Sequence, residues 1–197
     1  MTRIGLLTGS QPFARLDDNP AGAVLPHFEG VRIGGITVRT VETPVSLAGL
    51  PTFLPELIGR HRPAFVVALG LALGTPVLRV ETIGTNVLNF GVPDNEGARP
   101  HDGRPLESDG PAARRATWNG QAIASALLDA GLPAVVSHAA GTHMCNATLY
   151  TALGAMEALG LRGPVGFFHL PYLPEQVARF LSEAHNAMLI IVLPVRP

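Results

Sequence analysis

Cysteine is almost missing from this chain: 197 residues carry one, Cys145. A single thiol cannot build an internal disulfide framework, and its isolation fits a reducing, cytoplasmic compartment. Charge is thin too. Asp, Glu, Lys and Arg make up 15% of the residues, the formal net charge is -1 and the pI is about 6.6. That balance gives no electrostatic case for nucleic acid or an anionic membrane as a partner. Long apolar runs are lacking; the late run from Ala187 to Leu193 is far too short to span a bilayer. The opening MTRIGLLTGS breaks at Gly9 after a short apolar stretch, which predicts a first strand and not a signal peptide. No CxxC, HExxH, GxSxG, P-loop or GxGxxG pattern occurs, and His138, His143 and Cys145 lack the spacing of a zinc motif. A metal site is therefore not expected.

What is present is apolar. Hydrophobic residues make up 47% of the chain and the mean hydropathy is +0.28, enough for one domain over residues 1–197 with a sizeable buried core. Ile4 to Thr8 and Ala64 to Leu69 read as strands buried on both faces. Val31 to Val38 reads as a less hydrophobic strand nearer an edge. Asn19-Pro20 opens a short helical segment that Pro26 limits. Leu50 to Arg60 is a helix with Pro51 in its first turn. Val77 to Ile83 is a strand with Glu81 inside it. Asn89 to Ala116 is loop, long enough to be either functional or a surface excursion. A helix from Trp118 to Ala130, a strand from Ala134 to Ser137, a helix through Cys145 to about Leu159, a strand from Pro164 to His169 and a helix from Glu175 to Glu183 follow. Strands alternating with helices at this spacing predict an α/β fold with a mostly parallel sheet and helices on both faces.

Pro133 to Tyr150, PAVVSHAAGTHMCNATLY, is the stretch on which chemistry could rest. It reads as strand, small-residue turn and helix, with Cys145 in the first helical turn. Unpaired backbone N–H groups and the positive end of the helix dipole favour a thiolate there. The bland alternative is a packed thiol, the commoner fate of a free cysteine. A nucleophile needs a base, and the base an orienting acid. Of seven histidines, His169 is the best placed, at the carboxyl end of an apolar strand, the edge where open α/β sheets hold their sites. The Cys145 helix also follows the carboxyl end of its own strand, so both side chains are expected in one crevice. Glu81 stands either on a solvated strand face, which composition favours, or buried beside a cation.

The segments LLTGSQPF, NP, VETIGTNVLNFGVPDNEG, SHAAGTHMCNATLY and GFFHLPYLPEQ, in this order and spacing, resemble pyroglutamyl peptidase I. The resemblance implies a three-layer α/β/α sandwich around a mixed sheet, with no metal or cofactor, commonly a homo-oligomer (dimer or tetramer). It implies a cysteine peptidase that removes an N-terminal pyroglutamyl residue from peptides. By the same resemblance Cys145 matches the nucleophile, His169 the general base and Glu81 the residue that orients the imidazole.

The ring pocket departs from the family. Of two usual phenylalanines, one is Ser10 and only Phe13 remains; the Gly-Gly that follows is Ala14-Arg15, while Asn19-Pro20 is kept. Two family arginines are Thr75 and Thr82, a polar residue is Leu71, and the apolar pair before the cysteine is His143-Met144. The tail, residues 184–197, is short and proline-broken where the family has an amphipathic helix. Three readings follow: pyroglutamyl peptidase, the same triad acting on another lactam or small amide, or a weakly active relative kept for binding or assembly.

Overall fold

A computed structural model describes residues 3–14 and 16–172; the expected helix Glu175–Glu183 and the tail 184–197 lie outside the described residues. The most apolar runs of the sequence become the middle of one sheet. Its strands are β1 (Arg3–Ser10), β2 (Arg32–Ile33), β3 (Ile36–Thr43), β4 (Val66–Leu71), β5 (Leu78–Glu81), β8 (Ala134–Ser137) and β9 (Val165–Leu170). They are ordered β2-β3-β1-β4-β9-β5-β8. Every residue of β4 and β9 is buried, as strands covered on both faces require. A separate two-stranded ribbon joins β6 (Ile83–Thr85) to β7 (Ala113–Arg115).

Helices cover both faces and make the three layers. The short α1 (Pro20–Ala23) and α3 (Gly120–Asp129) close one apolar layer around Leu7, Val67, Leu69, Val80 and Phe168. On the other face α2 (Leu50–His61) and α4 (Met144–Ala158) bury Leu54, Ile58, Val66, Leu149 and Phe167. Side chains alternate between these layers along each strand. Phe167 and His169 therefore look toward α4, and Phe168 and Leu170 away from it.

Three expectations change. The strand read over Val31–Val38 is a hairpin: Gly34 and Gly35 both adopt positive φ, 56° and 79°, and split it into antiparallel β2 and β3. The strand read over Val77–Ile83 stops at Glu81, and the chain leaves the main sheet at Thr82 to pair with β7. The expected shared edge also fails. β1, β3, β4 and β9 run parallel, but β5 and β8 run against β9. Ser137 is level with Glu81, and Glu81 with Phe167, two residues short of His169. Residues 138–143 then carry the chain from the end of β8 to the start of α4. Strand direction depends on long-range pairing and leaves no mark on local composition.

Candidate active site

Glu81 and His169 meet because their strands are antiparallel neighbours. Glu81 is opposite Phe167, and His169 is two residues further along the same face. His169 Nδ1 donates to Glu81 Oε1 at 2.8 Å. The carboxylate is fully buried and the imidazole nearly so. The solvated face that composition favours for Glu81 is thus replaced by burial beside a cation, because Arg79 and His169 both lie against it. Trp118, which stands just before α3 and not inside it, donates from Nε1 to the Glu81 carbonyl at 3.2 Å and fixes the backbone behind the carboxylate.

Cys145 arrives from the helix side. A Cβ built on Gly70 would lie 2.8 Å from Cys145 Sγ, so the thiol rests directly on bare β4 backbone. Gly70 pairs in register with His169, which brings the sulfur beside the imidazole. Burial pushes the His169 pKa down. The negative charge of a Cys145 thiolate, a hydrogen bond to that sulfur and then the Glu81 carboxylate outweigh it, and the imidazole is raised to about 9. With Nδ1 committed to Glu81, Nε2 is the nitrogen left for the thiol. Cys145 is the second residue of α4, and Ala147 N–H donates to His143 O at 3.1 Å to close the first turn. The N–H groups of the first turn are free of helical partners and point their dipole at the same space.

The helix is pinned there by Asn146. Its side chain accepts from Thr85 N–H at 2.8 Å and donates to Thr85 O at 2.8 Å, reproducing a strand pairing with β6. Asn146 is wholly buried.

Beside the thiol is a small recess lined by Ser10, Phe13, Thr43, His143, Met144 and Thr148 among others. Phe13 and His143 stack with centroids 5.8 Å apart and planes 29° apart, and Phe90 supports His143 from 4.1 Å. His143 Nε2 donates to Val92 O at 3.0 Å. Burial, opposed by that hydrogen bond and by the charge of Asp94, lowers its pKa and favours the neutral ring. The long loop does structural work here. Asp94 accepts from Leu47, Glu96 and Ala98 N–H at 2.7, 3.0 and 2.8 Å, and Asn95 donates to the Pro12 carbonyl at 2.9 Å. One loop thereby braces both rings, His143 through Val92 and Phe13 through Asn95.

Other expected binding residues take different places. Ser10 lines the recess, but its hydroxyl is turned onto the Leu69 carbonyl at 3.2 Å. Asn19 caps α1, accepting from Ala21 N–H and donating to Gln11 O at 3.0 Å each. Leu71 is buried at the end of β4 and does not line the recess. Thr82 donates to Ser137 O at 2.9 Å and lies 2.6 Å from His138 Nδ1, away from the triad. Arg79, Trp118 and Asn95 were not among the site residues expected from the sequence. The only signal for Arg79 was its charge, two residues from Glu81 and so on the same strand face. Among the described residues no group of three or more His, Cys, Asp or Glu could hold a metal, and no helix is long and apolar enough to cross a membrane.

Known proteins resemble this chain along nearly its whole length. The family model described as pyroglutamyl peptidase matches residues 3–191. A pyrrolidone-carboxylate peptidase of Gloeobacter violaceus is 40% identical over 181 residues, 91% of this chain and 86% of its own. That of Thermococcus kodakarensis is 39% identical over 171 residues, 87% of this chain and 82% of its own. Among solved structures, pyrrolidone carboxyl peptidase from Thermococcus litoralis superposes with a TM-score of 0.90 at 29% identity, covering 96% of this chain and 93% of that one. Pyroglutamyl peptidase I of Bacillus amyloliquefaciens gives 0.89 at 26% identity, covering 96% and 97%. The chain belongs to the pyroglutamyl peptidase family of cysteine peptidases.

Proposed function

We propose that the protein cleaves the amide bond after an N-terminal pyroglutamyl residue through a covalent Cys145 acyl-enzyme. The observation that carries the reading is the buried hydrogen bond from His169 Nδ1 to Glu81 Oε1, 2.8 Å, with Cys145 on the imidazole's other side. In this scheme the Cys145 thiolate attacks the pyroglutamyl carbonyl carbon, and the carbonyl π electrons move to oxygen. N–H groups at the start of α4 stabilise that oxyanion, a role worth about 10²–10³ in rate per donor. His169 Nε2 gives its proton to the leaving amine, and the C–N bond breaks to leave a thioester. Water then attacks the thioester carbon while His169 takes its proton. The C–S bond breaks, releasing pyroglutamate and restoring the thiolate–imidazolium pair. Glu81 stays ionised throughout and holds the imidazole in the tautomer that presents Nε2.

The lactam ring is assigned to the space between Phe13 and His143. A planar ring between two others needs about 3.5 Å on each side. The 5.8 Å separation and the cavity of about 10 Å³ are too tight for that, so Phe13 must swing outward as the ring arrives. Ala14, with φ of 55° in the left-handed region, marks the backbone that would carry the swing.

A second reading is favoured by the turned-away Ser10 and the polar His143 in the recess: the same triad acting on another lactam or small amide. Hydrolysis of pyroglutamyl-, prolyl- and acetyl-naphthylamides decides between them. Preference for the pyroglutamyl substrate supports the first reading. Turnover of another acyl amide alone would support the second.

A further inference from the structure

Glu81 is a fully buried carboxylate, and one imidazolium is a small counterweight for it. Its Oε2 has no hydrogen-bond partner, so all of its compensation falls on Oε1. That oxygen has a second cation. Arg79 Nε lies 3.2 Å from Glu81 Oε1, from a side chain one-third exposed. Arg79 is two residues before Glu81 on β5 and directly opposite His169 in the antiparallel register, so all three share the α4 face. The far end of the guanidinium is also held. Nη2 donates to Ser137 Oγ at 2.7 Å and to the Ala139 carbonyl at 3.0 Å. Those acceptors begin the segment that leads from β8 to Cys145.

We propose that Arg79 is a positioning residue for the triad: its planar fork fixes the Glu81 carboxylate in line with His169 Nδ1 and ties it to the 137–139 turn before Cys145. The geometry suits arginine and not lysine, because one planar group spans carboxylate, hydroxyl and carbonyl together. Thr82, the residue after Glu81, faces Ser137 O and His138 and makes no contact of this kind, so the strand's own arginine is the one that reaches the site. Without the guanidinium the buried carboxylate keeps only His169 as a cationic partner and loses its tie to the 137–139 turn, so the imidazole is held less firmly beside the Cys145 sulfur.

This proposal rests on Cys145 being the nucleophile, and its first test needs no substrate. Iodoacetamide alkylation of Cys145, followed by intact mass across pH, is compared for the wild type, Arg79→Met and Arg79→Lys. For Arg79→Met the expected result is an alkylation rate about tenfold lower at pH 7, the order that a partner behind a functional ligand contributes. Its pH–rate profile should be displaced from that of the wild type, and Arg79→Lys should recover part of both. Hydrolysis should lose kcat with KM unchanged. If Arg79→Met does not fold, Ser137→Ala cuts the anchor and keeps the charge, and should give a smaller loss of the same kind. Profiles that superpose on the wild type, or equal losses in Met and Lys, overturn the role of Arg79 alone. A wild-type Cys145 unreactive at every pH overturns both this role and the nucleophile.

Discussion

The contact between Cys145 and Gly70 offers the sharpest test of how the thiol is placed. In Gly70→Ala the new Cβ would lie 2.8 Å from Cys145 Sγ and 2.5 Å from Phe167 Cζ. Ordinary contacts between such atoms are about 3.5–4.0 Å, so the sulfur must retreat by about 1 Å unless β4 moves instead. β4 is the worse candidate to move, being buried throughout and hydrogen-bonded on both sides by β1 and β9. Overpacking of this size costs about 1–3 kcal/mol of stability. Displacing a reacting atom by about 1 Å costs on the order of 100-fold in rate. The assay is kcat for a pyroglutamyl-naphthylamide alongside urea unfolding, so that a folded but slow enzyme is told from an unfolded one. Gly91→Ala is the control, since its Cβ would meet nothing within 4 Å. Wild-type kcat in Gly70→Ala would refute the seating of Sγ on β4.

The remaining expectations concern pH and the ring recess. His169 is raised from 6.5 to about 9, so its protonated form persists through neutral pH, and kcat/KM should fall as pH rises through about 9. A pH–rate profile whose limb near 6.5 is a fall on the alkaline side would contradict this. His143 has a lowered pKa because it is buried. Its protonation belongs at more acid pH than that of a free imidazole. KM should therefore rise as pH drops below 6.5 in the wild type and not in His143→Phe, as initial-rate kinetics would read. Asp94→Ala leaves the Leu47, Glu96 and Ala98 N–H groups without their acceptor. At about 1 kcal/mol for each of these three part-buried groups, about 3 kcal/mol of stability should go, visible as a lower urea midpoint. Asn95→Ala frees the Pro12 carbonyl and should raise KM severalfold with the alkylation rate of Cys145 unchanged.

Local order was legible wherever one segment decides its own state. β8 at Ala134–Ser137 needs only an apolar run between Pro133 and a turn, and the Cys145 helix needs only its 3.6-residue period and the stop at Gly160. The α/β class and the two helical layers followed from strands alternating with helices. What composition hid was pairing over distance. Glu81 read as solvated because nothing local shows that β5 runs against β9, and it is that direction which puts the carboxylate two residues from His169. The same register gives Arg79 its place. The hairpin over Val31–Val38 is hidden because apolar residues flank Gly34-Gly35 without a break, although two glycines at positive φ are what a tight reversal requires. The ring recess was legible as a departure, with Ser10 and His143 at its walls. The brace from Val92 and Asn95 was not, because a loop's partners are long-range hydrogen bonds with no period.

The account stands most directly on Cys145 as the only nucleophile. A pyroglutamyl chloromethyl ketone, incubated with the wild type and digested for peptide mass mapping, should place one adduct per chain on Cys145, with hydrolysis lost in proportion. Cys145→Ala should take no label and turn over no pyroglutamyl-naphthylamide. Hydrolysis that persists in Cys145→Ala, or an adduct on any other residue, would contradict it.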